Sequence, residues 1–406
     1  MKKTIAVFFG GQSVEHDISI VTGMQLIENI DKNKYDYLPV YIANDGQWYT
    51  GAVLADIAFM RNFDANNKGL TPVFISPVPG ERALISYHSG LLGMKKISFP
   101  FDVALLCMHG ANGEDGSLQG VLEMADIPYT SSGLLGAAAG MDKVLMKAAF
   151  VGAGIPTVAY CLVLRDEWEA DPDQAIAMVE AKLDYPLVVK PANLGSSIGI
   201  GVAEDRDALF GSIEVATHYD SRVIVETAIT DMMEINCSVL GYGSDVRPSP
   251  CEQPISWKEF LTFEEKYLSD TSGKTSADAN GMHSMSRILP APIPDETRDY
   301  IQELSCKIFR LMDCKGVVRI DYMIDKSDDN RVYANEINTI PGSMAYYLWE
   351  EDGLRYPQLI DQLIEFARTA HREKHKNHFA FASDVLKKIN FGGAKTGKMS
   401  SRGNKF

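Results

Sequence analysis

No two cysteines in this chain are spaced as CxxC. The six present, Cys107, Cys161, Cys237, Cys251, Cys306 and Cys314, are scattered over 406 residues. That excludes a zinc ribbon or a dithiol redox motif and leaves buried free thiols in a reducing, cytoplasmic compartment as the expectation. Positive charge is also short: 39 Lys and Arg against 54 Asp and Glu give a net charge of −15. A phosphate backbone needs a basic face, so nucleic acid is excluded as a partner. A nucleotide ligand is not, since it needs only a local group of lysines. No apolar run approaches the ~18 residues of a membrane span, and no membrane association is expected. The apolar opening, Thr4 to Phe9, is short, lacks a small-residue cleavage site and runs into Glu15, His16 and Asp17; it reads as a first strand rather than a leader. The phosphate-loop pattern GxxxxGK[ST] is missing, and so is any internal repeat.

What is present is strands that end in chemistry. The first ends in Gly10-Gly11 and leads into a helical stretch from about Ser19 to Ile30. Another, Phe101 to Met108, ends at His109-Gly110, before a helix carrying Leu118, Val121, Leu122 and Met124. Strand, glycine turn and helix in succession predict a doubly wound parallel sheet, whose functional groups gather at the carboxyl ends of its strands. Glu15 and His109 sit at such ends. Further on, a helix is expected from about Met141 to Gly152, and the strand Tyr185 to Pro191 carries Lys190 near its end. The glycine-rich stretch Asn193 to Gly201 follows, with Ser196 and Ser197. Backbone N–H groups of such a turn cover phosphate oxygens, and lysines such as Lys190 and Lys143 supply point charges. A helix from about Asp295 to Met312 precedes two β-prone stretches, Gly316 to Asp325 and Val332 to Asn338, with a turn at Lys326 to Asn330 between them. Alternation puts Arg319 and Asp321 on one strand face, and Glu336 and Asn338 likewise on the next. Two carboxylates and an amide oxygen make a hard site suited to Mg²⁺. Thr271 to Ser286 reads as a mobile loop, and residues 385–406 as a basic, weakly ordered tail.

Seven segments together resemble the D-alanine–D-alanine ligase family of ATP-grasp enzymes. They are FFGGQSVEHDISI (8–20), MHGANGEDGSLQGVLE (108–123), MDK (141–143), YPLVVKPANLGSSIGIG (185–201), EKYLSD (265–270), GVVRIDYMID (316–325) and NEINTIPG (335–342), in family order. The resemblance implies an α/β (α+β overall) ATP-grasp fold. It would comprise an N-terminal doubly wound substrate domain over 1–131, a central subdomain with the glycine-rich loop over 132–227, and a C-terminal subdomain with the metal site over 228–371. A basic extension over 372–406 would follow. It implies ATP as substrate, one or two Mg²⁺ (or Mn²⁺) ions, D-alanine as the small-molecule partner and a homodimer. The reaction implied is phosphorylation of one D-alanine carboxylate and attack on the acyl phosphate by the amine of a second, for peptidoglycan precursor synthesis.

Carried over by position, Lys143, Lys190, Ser197, Glu226, Ile229, Glu234 and Lys266 would contact ATP. Asp321, Glu336 and Asn338 would hold the metal. Glu15 would take the first substrate's ammonium, with Ser196 and Tyr267 linked to it and His109 nearby. Arg319 and the Gly342 N–H would stabilise the oxyanion, and Lys266, Tyr347 and Leu348 would meet the second substrate. Three departures stand out. Met344 and Tyr347 occupy places where the family has threonine and serine, the loop after Asp270 is longer, and the basic tail has no counterpart. A ligase for another acceptor such as D-serine, and an inactive nucleotide-binding regulator, are the competing readings.

Overall fold

The computed structural model describes residues 2–90, 93–255 and 287–378. Lys266, Tyr267, the stretch from Thr271 to Ser286 and the basic tail lie outside the described residues.

The N-terminal sheet is built on β1 (Lys3–Gly10), flanked in parallel by β2 (Tyr35–Ile42) and β8 (Val103–Leu106), and extended antiparallel by β3 (Trp48–Thr50) and β4 (Thr71–Pro72). Ile5 to Phe9 are buried without interruption, as a central parallel strand covered on both faces requires. A side sheet of β5 (Phe74–Ile75), β6 (Ala83–Gly90) and β7 (Gly93–Pro100) leaves this layer. The predicted first helix begins earlier than expected, at His16, and ends at Asn29. Its Ser19 hydroxyl accepts from Gly10 N (2.8 Å) and donates to Cys107 O (2.9 Å). That tie brings the carboxyl ends of β1 and β8 together, and with them Glu15 and His109. In the helix Ser117–Met124, Leu118 and Leu122 are buried whereas Met124 is exposed, so the apolar face is narrower than the sequence implied.

The expected helix from about Met141 to Gly152 is present as Lys143–Gly152, and a separate helix, Leu134–Met141, precedes it. Asp142 separates them because its carboxylate accepts from Val144 N and Leu145 N, the signature of an N-cap. A central antiparallel sheet follows, ordered β11 (Gly201–Ala203), β10 (Leu187–Pro191), β12 (Arg222–Thr227) and β9 (Tyr160–Leu164). The C-terminal sheet runs β15 (Arg287–Ile288), β14 (Asp245–Pro254), β13 (Met232–Tyr242), β16 (Gly316–Asp325) and β17 (Arg331–Asn338). Helix Asp295–Leu311 buries Ile301, Leu304 and Ile308 in the core of this last sheet. The last described helix, Tyr356–Lys374, buries Leu359, Ile360 and Leu363 in the same core as β1 and β8, so this helix packs back on the N-terminal sheet. The six cysteines are free thiols, five of them buried. Among the described residues, no helix is long and apolar enough to cross a membrane.

Candidate active site

At the carboxyl end of the N-terminal sheet, the Glu15 carboxylate is buried and accepts a hydrogen bond from the Ser196 hydroxyl of the glycine-rich loop. Ser196 and Ser197 both take left-handed backbone angles, φ 56° and 58°, which non-glycine residues adopt sparingly. Gly195 lies so close that a Cβ on it would stand 2.9 Å from Glu15 Oε2, and one on Gly110 (φ +70°) would stand 2.7 Å from the same oxygen. Two glycines therefore let backbone approach this carboxylate from both sides. Beside it, Glu114 accepts from Gly110 N (2.9 Å) and Ile340 N (2.8 Å). Burial, reinforced by the negative charge of Glu15, pushes the Glu114 pKa up to about 8. The His109 ring is buried, and its Nε2 lies 2.9 Å from the Thr22 hydroxyl. Burial, helped by the Arg319 charge and opposed by the Ile340 backbone, lowers its pKa to about 4, so the imidazole is neutral at pH 7.

The central sheet contributes a lysine–carboxylate array. Glu226 on β12 is 1% exposed, and its Oε2 lies 2.6 Å from Lys190 Nζ. Lys147, one turn after Lys143 on its helix, is equally buried and lies 2.8 Å from Glu226 Oε1. With three donors on the ammonium and two lone pairs on the oxygen, Lys147 Nζ and Glu226 Oε1 both retain hydrogen-bonding capacity beyond this contact. Burial alone would raise the Glu226 pKa; the two ammonium groups overturn that and hold it at about 2. Lys143 Nζ donates to Leu194 O (2.8 Å) and stands 3.9 Å from Glu336 Oε2, bridging the glycine-rich loop to β17. Ile229 lies half-buried in the link between β12 and β13, and Glu234 is exposed near the start of β13. Glu234 adds to the negative charge felt by Lys190.

The hairpin of β16 and β17 pairs Arg319 with Asn338 and Asp321 with Glu336. Arg319 grips Asp321 with two hydrogen bonds (Nε, 2.7 Å; Nη2, 2.8 Å), and Asn338 Nδ2 donates to Asp321 Oδ2 at 3.0 Å. The register slips between Asp321 and Tyr322, making Asn335 the extra residue of a bulge. Below the bulge Ala334 faces Tyr322 in the core; above it Glu336 faces Asp321. Both are even-numbered positions of one strand, yet the bulge turns them to opposite faces. Asn335 itself accepts weakly from Lys190 at 3.5 Å.

After β17 the chain makes a tight turn at Gly342–Ala345, with Ser343, Met344 and Ala345 all left-handed (φ 52°, 57° and 48°). Ser343 N is anchored on the Thr22 hydroxyl (3.2 Å), so the turn and His109 share one contact residue. Met344 is buried beside Leu106, Val317 and Leu363. Tyr347 is buried, donates to Glu252 Oε1 (2.9 Å), and carries Arg287 over its ring at 3.7 Å. Arg287 also pairs with Glu252 Oε2 at 3.1 Å. Glu252 is in register with Asn236, and Asn236 with Asp321, so this trio borders the carboxylate row across the sheet. The Leu348 side chain is fully buried in the core next to Tyr347.

Most of these groups come from segments that two family models recognise, with Lys143 and Lys147 in the stretch between the two. One described as D-ala D-ala ligase N-terminus matches residues 4–132, and one described as D-ala D-ala ligase C-terminus matches residues 149–365. The chain belongs to the D-alanine–D-alanine ligase family. The D-alanine–D-alanine ligase of Thermosipho africanus is 36% identical over 383 residues, covering 94% of this chain and 98% of that protein. That of Caldicellulosiruptor bescii is 37% identical over 379 residues, 92% and 97% of the two chains. The solved D-alanine–D-alanine ligase of Coxiella burnetii superposes with a TM-score of 0.74 at 26% identity, over 92% of this chain and 96% of that one. The D-Ala:D-Ser ligase of Enterococcus faecalis does so with 0.74 at 29%, over 90% and 100%. The architecture is thus the family's ATP-grasp fold.

Within this ligase family site, sequence reasoning overlooked Lys147, Glu114, Glu252 and Arg287. Lys147 had a usable signal: it stands four residues after Lys143 on one helix, and such positions share a face. Glu114 lies inside a quoted motif, but nothing local marks it as buried. Glu252 and Arg287 belong to the site only through cross-sheet register, which a single strand's pattern does not carry.

Proposed function

We propose that this chain is an ATP-dependent D-alanine–D-alanine ligase that works through an acyl phosphate and feeds peptidoglycan precursor synthesis in the cytoplasm as a homodimer. The observation carrying this reading is the hydrogen bond between Glu15 and Ser196, which joins the glycine-rich loop to the carboxyl end of the N-terminal sheet. An amino acid held by its ammonium on Glu15 then has its carboxylate aimed toward groups suited to a triphosphate. Lys143 and Lys190, with the backbone of Ser196 and Ser197, meet the phosphates. The unused capacity of Glu226 Oε1 and Lys147 Nζ fits the exocyclic amine and a ring nitrogen of adenine. Ile229 in the link between β12 and β13, and Glu234 near the start of β13, would meet base and ribose.

Asp321, Glu336 and Asn338 are an all-oxygen donor set that fits one or two Mg²⁺ (or Mn²⁺) ions. Bound there, the metal would offset repulsion between carboxylate and triphosphate. Arg319 holds Asp321 and lies near the Gly342 turn, where guanidinium and backbone N–H meet developing negative charge on the tetrahedral carbon's oxygen. Neutral His109 stands beside this region and adds no competing positive charge. Lys266 and Tyr267 complete the site in this reading. Lys266 takes phosphate and the second carboxylate, and Tyr267 extends the Glu15–Ser196 network.

The acceptor end favours a second reading on a specific observation. Tyr347, where the family has serine, spends its hydroxyl on Glu252. Acceptor binding therefore rests on Arg319 and Lys266, with selectivity among small acceptors modest, on the order of 1–3 kcal/mol. A D-serine acceptor is compatible with that arrangement. Turnover of ATP across a panel of D- and L-amino acids, with products identified by mass, tests the proposal. D-alanyl-D-alanine as main product supports it; a mixed dipeptide from D-alanine and D-serine supports the second reading; ADP release without any dipeptide contradicts both.

A further inference from the structure

Far from this site in the sequence, the end of the helix Tyr356–Lys374 carries His371, and His375 follows as its C-cap in right-handed helical conformation. Four residues apart, they share a face. Both Nε2 atoms converge on one oxygen, Asp126 Oδ1, at 2.9 Å each, and lie 3.3 Å from one another. Asp126 belongs to the turn that follows the helix Ser117–Met124. Its left-handed backbone, φ 57°, aims the carboxylate at the histidines.

We infer that Asp126, His371 and His375 form a binding site for a divalent transition ion of the zinc class, which staples the C-terminal helix to the N-terminal domain. Two donors around a tetrahedral zinc, each about 2.0–2.1 Å from it, stand about 3.3 Å apart. The triangle of 2.9, 2.9 and 3.3 Å is close to that geometry before any ion is considered. A point about 2.05 Å from all three atoms lies about 1 Å off their plane. Two imidazoles and one carboxylate are a zinc-type donor set with a fourth position left for water, which half-exposed His375 allows to enter.

The charges around the site set the competition. The Arg82 Nη2 atom stands 3.3 Å from His371 Nε2 and 3.4 Å from Asp126 Oδ2. Its side chain is 41% exposed, so it has solvent to withdraw into as the ion enters. The neighbouring charges on the helix are taken up elsewhere: Arg372 pairs with Glu365, Glu373 with Lys376, and Lys374 with Glu123 of the helix Ser117–Met124. The metal group proposed for Asp321 and Glu336 consists of oxygen donors only and prefers a harder ion. The two sites are therefore separable by ion and by mutation.

The test uses the full chain, stripped of metal and free of nucleotide, titrated with Co²⁺ and then Zn²⁺. Wild type is expected to develop the visible absorption of tetrahedral Co²⁺, to lose it when Zn²⁺ displaces the ion, and to melt at higher temperature with Zn²⁺. Substituting His371→Gln and His375→Gln together should abolish the spectrum and the Zn²⁺-dependent melting shift while leaving ligase activity in Mg²⁺ unchanged. Arg82→Ala should tighten Zn²⁺ binding, and Glu336→Gln should leave the spectrum intact. A spectrum that survives in the double-histidine variant, or wild-type Zn²⁺ binding weaker than about 100 µM, would overturn the assignment and leave the trio as a hydrogen-bonded clasp.

Discussion

Lys147 and Glu226 show how far one residue's environment decides its chemistry. A lysine with 1% exposure is costly unless paired, and Glu226 pairs with it and with Lys190 at once. The arrangement keeps Glu226 anionic and leaves one oxygen with unused capacity in the proposed adenine pocket. Lys147→Met should therefore raise the Michaelis constant for ATP about tenfold or more, the worth of one charge-assisted hydrogen bond. The constant for D-alanine should change little; equal effects on both would make Lys147 purely structural. Glu114 behaves in the opposite sense. Its pKa is raised in the fold to about 8 by burial and by Glu15. Its contribution to stability is thus fully present below the ordinary carboxyl range and fades as pH rises through about 8. Melting temperatures from pH 5 to 9 should fall less steeply in Glu114→Gln than in wild type, and parallel curves would show that this carboxyl is not the titrating group. Tyr347→Phe should leave the Arg287–Glu252 pair in place and spare the ATP constants. Tyr347→Ser frees room beside Arg319 and should widen the acceptor range, while an unchanged acceptor profile would mean that Tyr347 only packs.

At the scale of elements, the β16–β17 hairpin depends on the Asn335 bulge. Strand alternation places Arg319 with Asp321 and Glu336 with Asn338 from sequence alone, and the register agrees. The same alternation would put Ala334 beside Glu336. Only the bulge separates the core residue from the site residue, and a bulge has no reliable signature in a run such as Val332 to Asn338. Deleting Asn335 should bring Glu336 toward the core side and cost activity at least about a hundredfold, as expected for misplacing a working group by an ångström or more. The deletion variant should still bind ATP through Glu226 and Lys190; retention of wild-type turnover would show that the bulge is dispensable. The start of the helix Lys143–Gly152 directly after the helix Leu134–Met141 has a similar origin. The apolar period runs through Asp142, and only its capping geometry ends one helix and starts the next. The expected helix near Asp295 survived because its apolar face is long and unbroken.

For the whole molecule, the legible part was the set of strand ends. Glu15, His109, Lys190 and Arg319 each lie at or near a strand terminus or on a hairpin, where glycine and apolar patterns mark position well. The illegible part was how the sheets meet. The helix Tyr356–Lys374 returns to the N-terminal sheet through Leu359, Ile360 and Leu363, and the trio of Tyr347, Glu252 and Arg287 assembles across three elements far apart in sequence. Family membership explains why these pieces come together, and the proposed function would give them one chemical task, activating a carboxylate beside a triphosphate for attack by an amine. The most direct test follows the carboxylate oxygen. With D-alanine labelled with oxygen-18 in its carboxyl group, ligation through an acyl phosphate transfers one labelled oxygen to the inorganic phosphate for each dipeptide formed. The account predicts phosphate carrying one oxygen-18 atom in step with D-alanyl-D-alanine. Unlabelled phosphate accompanying dipeptide formation would contradict it.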